Sequence, residues 1–360
     1  MKKIRFCFIA IALIAVAASC KKTDAVTSSV PPITNGVFVL NQGIYGQNNT
    51  TFTYYDFGTA VATTDYYVGV NKIKLGDAGS DFIVYGGKVY IVMNSSGNVS
   101  VSNAFTDKFI DTVNFKISGI NKQPENIVGY GSNVFVSSTD GTVAVIDTTT
   151  LAITKTITVG TNPQQMIISG GNLYVSNTGA TDAFTSGIYD STLSVINLAT
   201  LTETSKINVG VNPGSIAADN SGNLYVACAG DYVSVQPSLV KVNTNTNTVT
   251  LSADTAVTTV RFYDNYLYVT PAYGSLAASV RQLNTNDFSA VTSSFITDGT
   301  AITAAYGLDI DPATGDVYVD DAKDYKSPGE VFCFDQSGKK KFSFSVAPGI
   351  NPCKVVPIQQ

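Results

Sequence analysis

The sequence predicts an all-β protein, a seven-bladed β-propeller of four-stranded antiparallel blades, and three observations carry that expectation. First, a small apolar residue, an aromatic and a β-branched residue recur seven times, each time after a short turn: Val37-Phe38-Val39, Val89-Tyr90-Ile91, Val134-Phe135-Val136, Leu173-Tyr174-Val175, Leu224-Tyr225-Val226, Leu267-Tyr268-Val269 and Val317-Tyr318-Val319. Successive aromatics lie 52, 45, 39, 51, 43 and 50 residues apart, the period of a four-strand unit repeated radially. Second, Thr, Val, Asn, Ser, Gly and Tyr dominate, and runs of Ala, Leu, Glu and Lys at helical spacing are absent after residue 20. Helix content is therefore expected to be close to nil. Third, a glycine-led turn opening on Asn-Pro occurs at Gly160-Thr161-Asn162-Pro163, at Gly210-Val211-Asn212-Pro213 and again near the end at Gly349-Ile350-Asn351-Pro352. Proline at the start of a strand costs no ladder bond, so these turns mark where new strands begin.

Residues 1–19 read as an export signal, with Lys2, Lys3 and Arg5 ahead of an apolar stretch over 6–18 that is too short to span a bilayer. Ala17-Ala18-Ser19-Cys20 resembles the lipobox of bacterial lipoproteins, and the resemblance implies that Cys20 is diacylated and becomes the first residue of the mature protein. Residues 20–32, polar and without periodicity, read as a flexible tether. The propeller is expected over 33–360.

One unit shows the strand order. Asn162 to Ile168 reads as an innermost strand, Ser169-Gly170-Gly171-Asn172 as a tight turn, Leu173-Tyr174-Val175-Ser176 as the second strand, 192–197 as the third and 204–209 as the fourth. The final Asn351-Pro352 turn has no second strand after it, while the first blade begins directly at Val37-Phe38-Val39 and lacks an innermost strand. The C-terminal strand is therefore expected to complete blade one, which also pairs two otherwise open sheet edges.

The two internal Gly-X-Asn-Pro turns, Tyr174-Val175-Ser176-Asn177, Tyr268-Val269-Thr270 and Val143-Ala144-Val145-Ile146-Asp147 resemble the YncE-like, YVTN-repeat propellers over roughly residues 35–357. Together with the lipobox this is similar to the propeller lipoproteins of Bacteroidetes type. Their BtuG-like surface members imply a sharper function, capture of a corrinoid nutrient beside an outer-membrane, TonB-dependent transporter.

Composition excludes much chemistry. The chain holds no histidine and no tryptophan, so it has no His-based triad, no imidazole base and no His-ligated zinc or haem. No enzyme activity, cofactor or metal is expected. Removing residues 1–19 leaves 19 basic against 27 acidic residues, a formal charge of −8, with dispersed lysines, a poor nucleic-acid partner. Cys228, Cys333 and Cys353 sit in strand-like runs and are expected to be buried thiols. The acid-bearing stretch Asp309-Ile310-Asp311-Pro312-Ala313-Thr314-Gly315-Asp316 lacks an EF-hand pattern and reads as a turn.

Loops between strands one and two and between three and four are short, whereas those between strands two and three vary up to the stretch 177–191. Variable loops on a rigid scaffold are where function sits. The expected ligand-binding residues are Asn41, Gln42, Tyr45, Asn177, Phe184, Tyr189, Tyr232, Tyr273, Asp320 and Tyr325, aromatics among amides and acids. The expected protein is a monomeric, non-catalytic envelope lipoprotein of the outer membrane, binding a small-molecule nutrient or an envelope protein. A protein-interaction scaffold or adhesin is the alternative, and a carboxylate-based hydrolase or lyase the third reading.

Overall fold

The computed structural model describes residues 34–179, 186–272 and 280–359. Cys20, the export signal and the tether lie outside the described residues, as do Phe184 and Tyr273. The described chain forms seven antiparallel blades, six of four strands and one of three. Their innermost strands, from blade one to blade seven, are Pro352–Gln359, Gly79–Tyr85, Pro124–Tyr130, Pro163–Ser169, Pro213–Ala218, Val257–Tyr263 and Ala305–Ile310.

The seven aromatic repeats are the second strands, and their two-residue alternation explains how the ring is packed. Tyr90 points into the seam with blade three, against Ile127, Val134 and Val136, while Val89 and Ile91 point the other way, against Phe38 and Phe52 of blade one. The same division holds around the ring: Phe135, Tyr174, Tyr225, Tyr268, Tyr318 and Phe38 each join the cluster shared with the following blade. Seven aromatics thus fill seven seams. Tyr90, Phe135, Tyr174, Tyr225 and Tyr318 are fully buried, which for large side chains is worth roughly 2–3 kcal/mol each.

Closure follows the expectation. Pro352–Gln359 pairs antiparallel with Thr34–Asn41, with Val355 opposite Val39, Val356 opposite Phe38 and Pro357 opposite Val37. The last strand of the chain is thereby the innermost strand of its first blade.

The Gly-X-Asn-Pro turns have a steric cause. Asn162, Asn212 and Asn351 hold left-handed backbone, with φ of 49°, 58° and 54°, a conformation Asn tolerates better than most residues. A Cβ on Gly160 would collide with the Asn177 side chain, and one on Gly349 would stand 2.5 Å from Asn41 Cγ. Blades two and three lack the motif yet adopt the same turn, using Ala78 and Gln123 with φ of 51° each. In all seven blades the carbonyl of the residue before the innermost strand accepts from an amide at or just past the end of the second strand: Asn351 from Gln42, Ala78 from Asn94, Gln123 from Thr139, Asn162 from Thr178, Asn212 from Ala229, Ala256 from Ala272 and Ala304 from Ala322. These bonds tie turns and loops together on one face.

Several expectations need correction. In blade four the second and third strands are Asn172–Gly179 and Tyr189–Asn197, pairing as far as Gly179 with Tyr189. Asn177 and Tyr189 are therefore strand residues, and the loop is shorter than 177–191. Blade six lacks a fourth strand and shows one bridge, Leu283 with Ala290, because the chain beyond turns inward to bury Phe295 and Ile302 against Tyr268 and Leu308. A six-residue helix, Tyr66–Asn71, links blades one and two, and its Tyr67 is buried.

Candidate functional site

Two recesses open among the strand two-to-three loops. The first is the mouth of the central channel, where loops of blades seven and one meet blades two and three. A cavity of about 330 Å³ there is lined by Gln42, Tyr45, Asn94, Glu125, Tyr325 and Asn351, among others. The Tyr306 hydroxyl donates to Gln42 Oε1 at 2.6 Å, and the Tyr306 and Tyr325 rings meet edge to face at 5.8 Å. Asn351 Nδ2 donates to the Gly43 carbonyl at 3.0 Å. Glu125 Oε1 accepts from Asn94 Nδ2 at 2.7 Å, and burial pushes the Glu125 carboxyl up to about 7.

Below the mouth, the innermost strands present a ring of polar side chains to the channel. Each of these strands carries a bulge two residues in, as between Pro124 and Ile127 or between Pro163 and Met166. The amide just past the bulge is taken up by a side chain of the preceding blade: Ile127 N–H by Asp81 at 3.0 Å, Met166 by Asn126 at 2.9 Å, Ile216 by Gln165 at 3.4 Å and Val260 by Ser215 at 3.1 Å. Between blades seven and one Asp309 plays this part, accepting from Val355 at 2.8 Å. Two cations balance the acids: Arg261 lies 3.3 Å from Asp309, and Lys354 lies 3.4 Å from Asp309 and 3.9 Å from Asp81. Burial works against the Lys354 ammonium, but Asp309 and Asp81 outweigh it and hold its pKa above the usual value.

The second recess is an apolar cleft between blades five and six, about 740 Å³, lined by Ala227, Ala229, Tyr232, Val233, Val235 and Val257 among others. Its rim is a turn built on Asp231, whose carboxylate accepts from the amides of Val233, Ser234 and Val235 and from the Ser234 hydroxyl. Those bonds, the Ser234 hydroxyl first, hold the Asp231 carboxyl well below the usual range. The turn leaves Val233 85% exposed and Tyr232 63% exposed. The Tyr189 and Tyr232 rings approach to 6.3 Å. Tyr232 and Tyr325, one in each recess, both hold left-handed backbone with φ of 61° and 62°, uncommon for a bulky residue and frequent at ligand-contacting loops.

The expected residues thus divide. Gln42, Tyr45 and Tyr325 come together at the mouth, and Tyr189 and Tyr232 beside the cleft. Asn41, Asn177 and Asp320 belong to blade interiors instead. Asn41 Nδ2 reaches Thr51 Oγ1 and Thr53 Oγ1, and Asn177 Nδ2 reaches Thr192 Oγ1 and Ser194 Oγ, so both fasten strand two to strand three. The cause is alternation: both point into the sheet packing rather than toward the loop. Asp320, 1% exposed, fills the space left by Gly307 and has no hydrogen-bond partner on either oxygen. Burial first, then Asp309, pushes its pKa well above the usual value.

Sequence reasoning missed Glu125, Asp81, Arg261, Asp309, Lys354 and Tyr306. The acid-bearing stretch 309–316 divides: Asp309 belongs to the channel, bonded to Val355 and Lys354, while Asp311 caps Ala313 and Asp316 pairs with Lys341. A signal existed: Asp81, Arg261, Asp309 and Lys354 each interrupt an innermost strand next to an apolar residue.

Fold and recesses together define a seven-bladed propeller, a fold compatible with binding a ligand or a protein at its loop face. The chain belongs to the family described as Domain of unknown function (DUF5074), which matches residues 35–346. Among solved structures it is similar to a quinoprotein alcohol dehydrogenase-like protein from Bacteroides thetaiotaomicron, at 15% identity and a TM-score of 0.67, over 90% of this chain and 78% of that one. The dihydro-heme d1 dehydrogenase NirN in complex with DHE matches at 10% identity and a TM-score of 0.56, over 90% and 75%. A computationally designed protein, Ika8, matches at 13% and 0.54, over 89% of both chains. Likeness at this identity concerns the fold alone. No curated protein matches the chain.

Proposed function

We propose that this chain is a non-catalytic binding protein of the bacterial envelope, lipid-anchored through Cys20, that takes its ligand at the channel mouth. The observation that carries the reading is the meeting of Gln42 and Tyr45 from blade one, Tyr325 from blade seven and the carboxyl of Glu125 around one cavity. The channel acids argue against hydrolysis: Asp81 and Asp309 are spent on neighbouring amides and on Lys354 and Arg261. A corrinoid is the sharpest ligand hypothesis, resting on resemblance to the BtuG-like propellers, and a bulky macrocycle would lie across the face rather than within one cavity.

A thermal-shift and calorimetric panel on the full chain, with cobalamin, haem, glycans and calcium, tests the reading. A ligand whose binding is lost on Tyr325→Ala supports it, and binding indifferent to Gln42→Ala, Tyr45→Ala and Tyr325→Ala sinks it. The corrinoid version falls if cobalamin gives neither shift nor heat. Unchanged membrane association of Cys20→Ser removes the anchor. A second reading, a protein-interaction scaffold, is favoured by the exposed Tyr232 and Val233 beside the apolar cleft. It predicts a partner crosslinked through this loop in intact cells.

A further inference from the structure

We infer that the channel mouth recognises a ligand bearing an ammonium group, received by the Glu125 carboxylate and the faces of Tyr45 and Tyr325. This rests on the mouth being the binding site and names the chemistry of its occupant. The contrast with the channel below is what points there. Asp81 and Asp309 are given cations by the protein itself, Lys354 and Arg261. Glu125 is given none: the described ion pairs do not include it, the cavity is lined by no Lys or Arg, and burial alone accounts for its raised pKa. Its one side-chain bond comes from the neutral Asn94 amide.

A second observation has the same sign. Asn351 lines this cavity, is 8% exposed, and its Oδ1 has no hydrogen-bond partner, while its Nδ2 is committed to Gly43. Beside the Glu125 carboxyl, the unpartnered Asn351 oxygen adds negative partial charge to the cavity, which favours a cationic occupant. Aromatic faces beside a carboxylate are the surroundings an organic cation prefers, because the ring quadrupole attracts charge without demanding that it shed a full hydration shell onto one oxygen. Tyr325 is set for this by its left-handed backbone and by the Tyr306 ring, which is itself fixed on Gln42. A hard divalent ion wants several oxygen ligands, and one carboxyl is a poor start.

The test uses the full chain at low ionic strength with choline, its uncharged carbon isostere neohexyl alcohol, and calcium chloride, by calorimetry and thermal shift. Choline should bind about tenfold or more tightly than the isostere. Glu125→Gln and Tyr325→Ala should each weaken it about tenfold, with Tyr325→Phe close to the parent and circular dichroism unchanged throughout. Equal affinity for the isostere, a response to calcium alone, no choline binding, or full binding in Glu125→Gln would overturn the inference. If choline fails while another ligand is lost on Tyr325→Ala, the ammonium chemistry falls and the mouth stands; binding indifferent to all mouth variants removes both.

Discussion

The channel mouth and the apolar cleft stand on the same face, behind loops held by the same amide-to-carbonyl bond, yet they are assembled in different ways. The mouth is built from residues far apart in the chain: Tyr306 reaches Gln42 across 264 positions, and Asn351 reaches Gly43 across 308. The rim of the cleft is built locally, with Asp231 capping an amide four residues on. The difference teaches that the ring fixes where a loop stands, while loop composition decides whether its shape survives damage elsewhere. A recess assembled by closure should fail with closure, and one assembled by a turn should not.

The largest effect should come from truncation before Asn351, which strips the innermost strand from blade one and one wall from the mouth. Melting temperature should fall by about 10 °C or more, and an unchanged melting curve would refute the closure. Next is pH. Glu125 has a folded pKa of about 7 against a usual 4.5, so the folded state binds this proton more tightly than the unfolded state does. Its contribution is complete below pH 4.5 and is lost as pH rises toward 7, by at most about 3 kcal/mol. In Glu125→Gln this part of the decline should vanish from denaturation midpoints measured between pH 4.5 and 7.5; identical pH profiles would show that the carboxyl is better solvated than its position implies.

Smaller effects separate the recesses more finely. At the mouth, Gly349→Ala would drive a Cβ to 2.5 Å from Asn41 Cγ and 2.7 Å from the Val346 carbonyl, and should cost about 2 kcal/mol in urea denaturation. At the corresponding turn of blade five, Gly210→Ala meets Cys228 Sγ at 3.0 Å, a softer neighbour, and should cost less than about 1 kcal/mol. Equal costs would mean that the two turns relax alike. The smallest change in global stability is expected for Asp231→Ala. Hydrogen exchange at Val233, Ser234 and Val235 should speed up while the melting temperature barely moves, and unaltered exchange would show that the rim holds itself without the carboxylate.

Blade count, strand order and closure were legible because each follows from a local rule repeated many times: alternation in Val-Tyr-Val, proline at a strand start, glycine where a neighbour leaves no room. Even the departures obey it, since Ala78 and Gln123 hold the left-handed turn without Asn. The site was legible only in part. Tyr45, Tyr232 and Tyr325, which loop variability picks out, line the two recesses, but Asn41, Asn177 and Asp320, which it also picks out, are turned inward by strand parity. Glu125 escaped because nothing in the segment Gln123-Pro124-Glu125-Asn126 tells that it lines one cavity with Tyr325 and Asn351, residues brought to that cavity only when the ring closes.

Closure also gives the molecule a front and a back. Thr34–Asn41 is a second strand, so it finishes at the loop face, where Gln42 begins the mouth, and starts on the opposite side. There Thr34 pairs with Gln359. Both ends of the ring therefore lie side by side at its back. A force applied at Thr34 would load the Thr34–Gln359 end of the clasp first, so the seam that closes the ring is also its mechanical latch.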